Sequence, residues 1–250
     1  MSNPTSKVIP ESWERYVTTT DEDTPCRVSF DLEAATEEEV RAGLRYCERV
    51  TFTLKNPNEQ GLPTKEEINR QYGLEDGLCA ALEKAKVPAR LVARLTFSGQ
   101  QELVFQTEDR AKFVAVLKDW GKRQEGEGID LEEDEGWEYF TDVVSPDPYQ
   151  WAVIEDRRAV DTLLEAGSNA NRPHVLQYVF VGEEPRLERV RDALMERGYD
   201  VVSGPEESTL VMGVKCKLDL EQIVEHSIAC RELAEAQEVD YEGWSAEVVG

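Results

Sequence analysis

From His174 to the end of the chain the hydrophobic pattern keeps changing period, and the order of those changes constrains the fold more than any other feature. The segments read "HVLQYVFV", "EPRLERVRDALMERG", "YDVVS", "TLVMGVKCK", "DLEQIVEHSIACRELAEA" and "YEGWSAEVV". Period-two alternation predicts strands in the first, third, fourth and sixth. Apolar residues three and four apart predict helices in the second and fifth. The order βαββαβ is that of a ferredoxin-like sandwich, with two helices on one face of a four-stranded antiparallel sheet. A further helix over 151–166 precedes it, with Val153, Ile154, Val160 and Leu163 or Leu164 inward and Gly167 as its stop. In this arrangement "GWSAEVV" is the fourth strand, and Trp244 packs between sheet and helix or stands at their rim.

The upstream half reads as a second α+β unit. A hairpin is expected over 12–20 and 25–32 around "DEDTP", and a third strand over 46–55. Thr64, with Glu67 three residues on, marks a helix start whose inward positions include Ile68, Tyr72, Leu78 and Leu82. Strands "ARLVARLTF" and "ELVFQT" follow, then a helix with Phe113, Val116, Leu117 and Trp120 on one face. An acidic loop, "EGEGIDLEEDEG", leads to a last strand, "WEYFTDVV". The chain is thus expected to be α+β with two domains, 1–147 and 148–250: an antiparallel sheet with helices, for which a ferredoxin-like plan is one reading, followed by the ferredoxin-like unit.

With 52 acidic against 28 basic residues the net charge is -24, which argues against direct nucleic-acid binding, since phosphates must be met by Lys and Arg. Residues 1–150 carry 31 acids and 18 bases and the remainder 21 and 10, so no single acidic tail accounts for the total. Such a surface either steers a basic partner or simply solubilises. No apolar stretch approaches the roughly 20 residues of a membrane span, and no leader-like start is visible, so a soluble cytoplasmic protein is expected. Five scattered cysteines without a CxxC pair suit reduced, buried thiols.

Chemistry-bearing patterns are sparse. P-loop, GxGxxG, GxSxG and HExxH are all missing from the sequence, and only His174 and His226 are present, so no catalytic, cofactor or metal residues are assigned. His226 and Cys230 share a helix face near Cys216, but the spacing does not match a zinc site. Asp130, Glu132 and Asp134 alternate as calcium ligands do, yet Gly136 comes one place late and Thr141 occupies the bidentate glutamate position, so a solvated loop is favoured. Glu75 with Asp76 reads as a chance pair at the surface, and Arg172 as one half of a surface salt bridge.

In order and spacing, "TLLEAGSNANRPHVLQYVFV", "ALMERGYDVV" and "ELAEAQEVDYEGW" resemble the RraB family of protein inhibitors of ribonuclease E, over about residues 155 to 247. The closing "LAEAQEVDYEGW" is the most specific part. The resemblance implies a ferredoxin-like fold, a non-enzymatic role in a bacterial cytoplasm, and a protein partner, the basic C-terminal region of ribonuclease E, whose part in RNA turnover is regulated by contact. Upstream, "LKNPNEQGLPTKEE", "LED" and "LVARLTFSG" are similar to an uncharacterised family of domains of unknown function often fused to such units, which implies architecture and no activity.

On this reading Asp240, Tyr241, Glu242 and Trp244 are the candidate partner-binding residues, two rings for apolar contact and two carboxylates for steering. The rings are equally explained as core anchors of a terminal strand. An alternative from another class is a small-molecule-binding or enzymatic N-terminal domain tethered by the C-terminal unit, recognisable by a pocket with convergent polar groups. A third reading assigns the acidity to high internal salt, with 18 Arg beside 10 Lys, and expects stability to climb with salt.

Overall fold

The computed structural model describes residues 8–20, 22–124, 126–206 and 208–250. The chain divides into two compact units, Met1–Ser145 and Pro146–Gly250.

The first unit opens with the hairpin β1 (Trp13–Thr19) and β2 (Pro25–Asp31), followed by the short helices α1 (Leu32–Thr36) and α2 (Glu38–Arg41). Then come β3 (Tyr46–Thr53), α3 (Lys65–Lys84), β4 (Ala89–Phe97), β5 (Gln100–Thr107), α4 (Arg110–Gly121) and β6 (Ile129–Glu135). The six strands form one antiparallel sheet in the order β1-β2-β4-β5-β3-β6. On one face, Val50, Phe52, Leu91, Leu103 and Phe105 pack against Leu78, Leu82, Phe113, Leu117 and Trp120 of α3 and α4. The other face is also covered: Val28, Phe30, Leu95 and Val104 are buried together with Tyr16, Phe140 and Val144, and the Tyr16 hydroxyl donates to the Val144 carbonyl at 2.8 Å. The central strand β5 is consequently buried along all but its first residue.

Thr64 caps α3 by accepting from the Glu67 amide, but the Glu67 carboxylate turns away to Arg70 and the Lys55 amide instead of closing the reciprocal box. The inward stripe of α3 is Glu67, Gln71, Leu74, Glu75, Leu78 and Leu82, so Tyr72 is 53% exposed and Glu75 is buried, both contrary to the sequence reading. The cause is charge pairing: Arg94 forks onto both Glu75 oxygens at 2.5 and 2.6 Å while the Trp13 ring lies 3.6 Å from its guanidinium.

Two further expectations are corrected. The acidic segment is the edge strand β6, not a loop: Ile129 and Leu131 pair with Phe52 and Val50, and the alternate carboxylates of Glu132 and Asp134 meet Arg49. Residues 137–144 are not a strand. Gly136 adopts φ +72° and ends β6, after which a single wide helical turn, Phe140–Val144, buries Phe140 and Val144 four residues apart.

The second unit begins with α5 (Pro148–Glu165), started by a reciprocal Asp147–Gln150 capping box. β7 (His174–Val181), α6 (Glu184–Glu196), β8 (Asp200–Glu206), β9 (Thr209–Cys216), α7 (Leu220–Gln237) and β10 (Asp240–Ser245) follow. The sheet is antiparallel in the order β10-β7-β9-β8. Alternate residues His174, Leu176, Tyr178 and Phe180 of β7 face the helices, where they meet Leu187, Val190, Leu194 and Ile223.

Both units follow one plan. In β3-α3-β4-β5-α4-β6, as in β7-α6-β8-β9-α7-β10, the first strand sits between the third and the fourth, and the second lies beyond the third. This is the ferredoxin-like strand order. The hairpin β1-β2 extends the N-terminal sheet past β4.

Removing one partner of a buried ion pair strands the other charge and costs about 3–5 kcal/mol. Arg94→Met is therefore expected to destabilise the protein by that amount in equilibrium urea unfolding, and adding Glu75→Gln should recover most of the loss.

Candidate functional site

The ending of the chain acquires its geometry from one irregularity. On β10, Tyr241 pairs with Phe180 and Trp244 with Tyr178, which requires a register slip between Tyr241 and Gly243. Residues three apart on a regular strand point to opposite faces. The extra residue, with Gly243 at φ +97°, brings both rings to the helix side. Tyr241 packs against Phe180 and stacks on Tyr178, while the Trp244 indole reaches α5.

What Trp244 reaches is Asp156. Its indole N–H donates to Asp156 Oδ1 at 2.7 Å, and the Ser227 hydroxyl of α7 donates to the same oxygen at 2.9 Å. Asp156 is 3% exposed, has no ion-pair partner among the described residues, and leaves Oδ2 without a hydrogen bond. Burial raises its carboxyl above the ordinary aspartate value of 3.8, against the lowering effect of the two donors and of Arg231. Arg231 itself binds Glu155 and lies 5.1 Å from the Tyr241 ring centre. Glu155, Asp156, Arg231, Tyr241, Glu242 and Trp244 line a cleft of about 360 Å³ between α5, α7 and β10. Its chemistry is three carboxylates, one guanidinium and two aromatic rims, suited to holding a cationic or amphipathic group and offering no nucleophile or metal cage.

Of the four candidate residues, Tyr241, Glu242 and Trp244 line this cleft, whereas Asp240 is exposed on the strand opposite Val181. Asp156 escaped the sequence reading. It occupies the inward stripe of α5 between Ala152 and Val160, where a carboxylate four residues from an apolar neighbour on either side was the available signal.

The remaining candidates resolve into structure. The Tyr199 hydroxyl lies 2.6 Å from His226 Nδ1 and 4.0 Å from Cys230 Sγ, and burial pushes the Cys230 thiol up to about 12, far from a reactive thiolate. Among the described residues no group of three His, Cys, Asp or Glu could hold a metal ion. Around Asp134 and Glu132 the cation is already supplied by Arg49, which also pairs with Glu102 at 3.4 Å and lies 4.3 Å over the Tyr139 ring. Arg172 donates to the Gly250 main-chain oxygen.

Family models match both units of this two-unit α+β chain. Residues 11–145 match the model described as a family of unknown function (DUF695), and the chain belongs to that family. Residues 153–246 match the model for RraB, regulator of ribonuclease activity B. No curated protein matches the chain. A crystal structure of an unknown protein from Galdieria sulphuraria is 15% identical, covering 82% of this chain and 99% of its own, with a TM-score of 0.21. Among the described residues no helix is long and apolar enough to cross a membrane.

Because the folded state holds the Asp156 proton more tightly than the unfolded chain does, its contribution to stability is full below pH 3.8 and is lost as pH rises through the raised folded value. Asp156→Asn keeps an oxygen for Trp244 and Ser227 and removes the charge. It should stabilise the protein at neutral pH, where the native carboxylate is charged and buried. Thermal unfolding of both forms across the acidic range should show that advantage shrinking as pH falls.

Proposed function

We propose that the chain is a non-enzymatic regulator of ribonuclease activity that works by protein–protein contact. The observation that carries this reading is the match of residues 153–246 to the RraB family. In the finer form of the proposal, the partner is a basic segment of a ribonuclease E-type enzyme in a bacterial cytoplasm, and it docks at the C-terminal cleft. Supporting it, Glu155 and Glu242 stand exposed at the mouth of that cleft beside Tyr241 and Trp244, a pairing of steering charge with aromatic contact. Asp240 adds charge one residue before Tyr241 and belongs to the same surface in this proposal.

The test is titration of the purified protein against the basic C-terminal region of the same organism's ribonuclease E, at low and at physiological salt. Saturable binding is expected at both. Glu242→Lys, an exposed change, should weaken it by roughly tenfold and flatten its salt dependence, with an unchanged melting temperature. Trp244→Ala should weaken it further. Absence of binding by a folded protein would remove the ribonuclease reading, and binding indifferent to Glu242→Lys would move the contact away from this cleft.

A further inference from the structure

One stretch of the N-terminal unit gathers basic residues within this acidic chain. From Lys84 to Arg123 there are nine basic and four acidic residues, a net of +5 within a chain of -24. Arg90, Arg94 and Arg110 of this stretch are engaged by Asp31, Glu75 and Glu48. The other six basic residues lie on α3 and α4 or immediately beside them. Lys84 and Lys112 have no carboxylate within ion-pair distance among the described residues, and Lys112 Nζ instead donates to the Lys86 carbonyl at 2.8 Å.

That contact ties the start of α4 to the end of α3, while Trp120 near the end of α4 lies against Gly77 in the middle of α3, so the two helices run antiparallel. Between their outer faces is an apolar trough of about 840 Å³ with a floor of Gly77, Ala81, Ala115, Val116 and Trp120, rimmed by Lys84, Lys112 and the Asp119–Arg123 pair. Trp120 is 5% exposed, and its indole N–H has no hydrogen-bond partner among the described residues. A Cβ added at Gly77 would sit 3.2 Å from that nitrogen, so the glycine leaves the indole edge uncovered where both residues line the trough. The indole N–H therefore opens on the trough, where water or an acceptor of a docked partner can meet it.

We propose that this trough docks an acidic amphipathic helix of a protein partner, its apolar stripe on the Gly/Ala floor and its carboxylates toward Lys84, Lys112, Arg123 and the Trp120 N–H. Charge complementarity sets the sign: this is a cationic rim on an anionic protein. Shape sets the class. The lining residues recur every three or four positions on both helices over about two turns of α4, roughly 12 Å at 1.5 Å per residue, and small side chains allow a third helix to approach closely. Ala80 and Ala115 are exposed along it, so the trough is open on one side and would leave a small molecule largely in water. The inference concerns the N-terminal unit and does not depend on ribonuclease binding.

The experiment uses the full chain, isotope-labelled, and follows the five tryptophan indole N–H resonances by NMR. The probe is a stapled helical peptide of about 15 residues with leucines along one stripe and glutamates on both flanks. A twin with lysines in place of the glutamates and the single-chain anion dodecanoate serve as comparisons. The glutamate peptide is expected to bind saturably and to shift the Trp120 resonance while Trp244 stays in place. The exposed double variant Lys84→Glu/Lys112→Glu should weaken that binding by at least about tenfold and admit the lysine peptide instead. No shift at Trp120, equal binding of both peptides to the native protein, or a Trp120 shift with dodecanoate alone would each overturn the proposal.

Discussion

Among the described residues, every strongly buried carboxylate of the N-terminal unit is met by a guanidinium: Asp31 by Arg90, Glu48 by Arg110, Glu67 by Arg70, Glu75 by Arg94 and Glu102 by Arg49. The sheet and its helix layer depend on these pairs, because an ionised carboxylate left alone in such surroundings costs more than the packing around it returns. Arginine suits the task better than lysine, since its planar fork satisfies two oxygens at once, as Arg94 does on Glu75. Part of the arginine excess therefore has a local structural explanation, separate from partner binding and from adaptation to salt.

The C-terminal unit contains the exception. Asp156 is as buried as those acids but is held by an indole and a hydroxyl, with no arginine on it. The same architecture thus handles buried charge in two ways: neutralised by pairing in the first unit, and left partly unsatisfied beside an open cleft in the second. Perturbed, under-satisfied carboxylates are commoner at functional sites than in frameworks, and it is this contrast that sets the C-terminal cleft apart from the acidic surface around it.

The βαββαβ order of the second unit was legible because its strands and helices alternate apolar residues at clean periods, and because Gly167 and Gly198 mark helix stops with positive φ. Less was legible upstream, for a single reason. Where charged residues occupy inward positions, hydrophobic periodicity misplaces the face: Glu67 and Glu75 hid the true stripe of α3, Asp156 that of α5, and the acids of β6 concealed a strand whose inward side holds only Ile129 and Leu131 before Glu133. Pairing partners distant in sequence, such as Arg49 for Asp134, decide those positions, and no local window contains both. At the candidate site the aromatic pair could be named from the sequence, but their convergence could not, since it depends on the register slip at Glu242.

The acidic β6 also bears on how copies of the protein behave toward one another. An edge strand exposes unpaired backbone groups that invite another edge to add to it. Along β6 Asp130, Glu132, Glu133 and Glu135 are exposed, and although Arg49 offsets Glu132, two copies approaching edge to edge would still bring like charge together. That repulsion reaches about 8 Å at physiological ionic strength and shortens as salt rises. The charge that reads in the sequence as a solvated loop thereby acts as a colloidal safeguard, one that concentrated salt would weaken while leaving each fold intact.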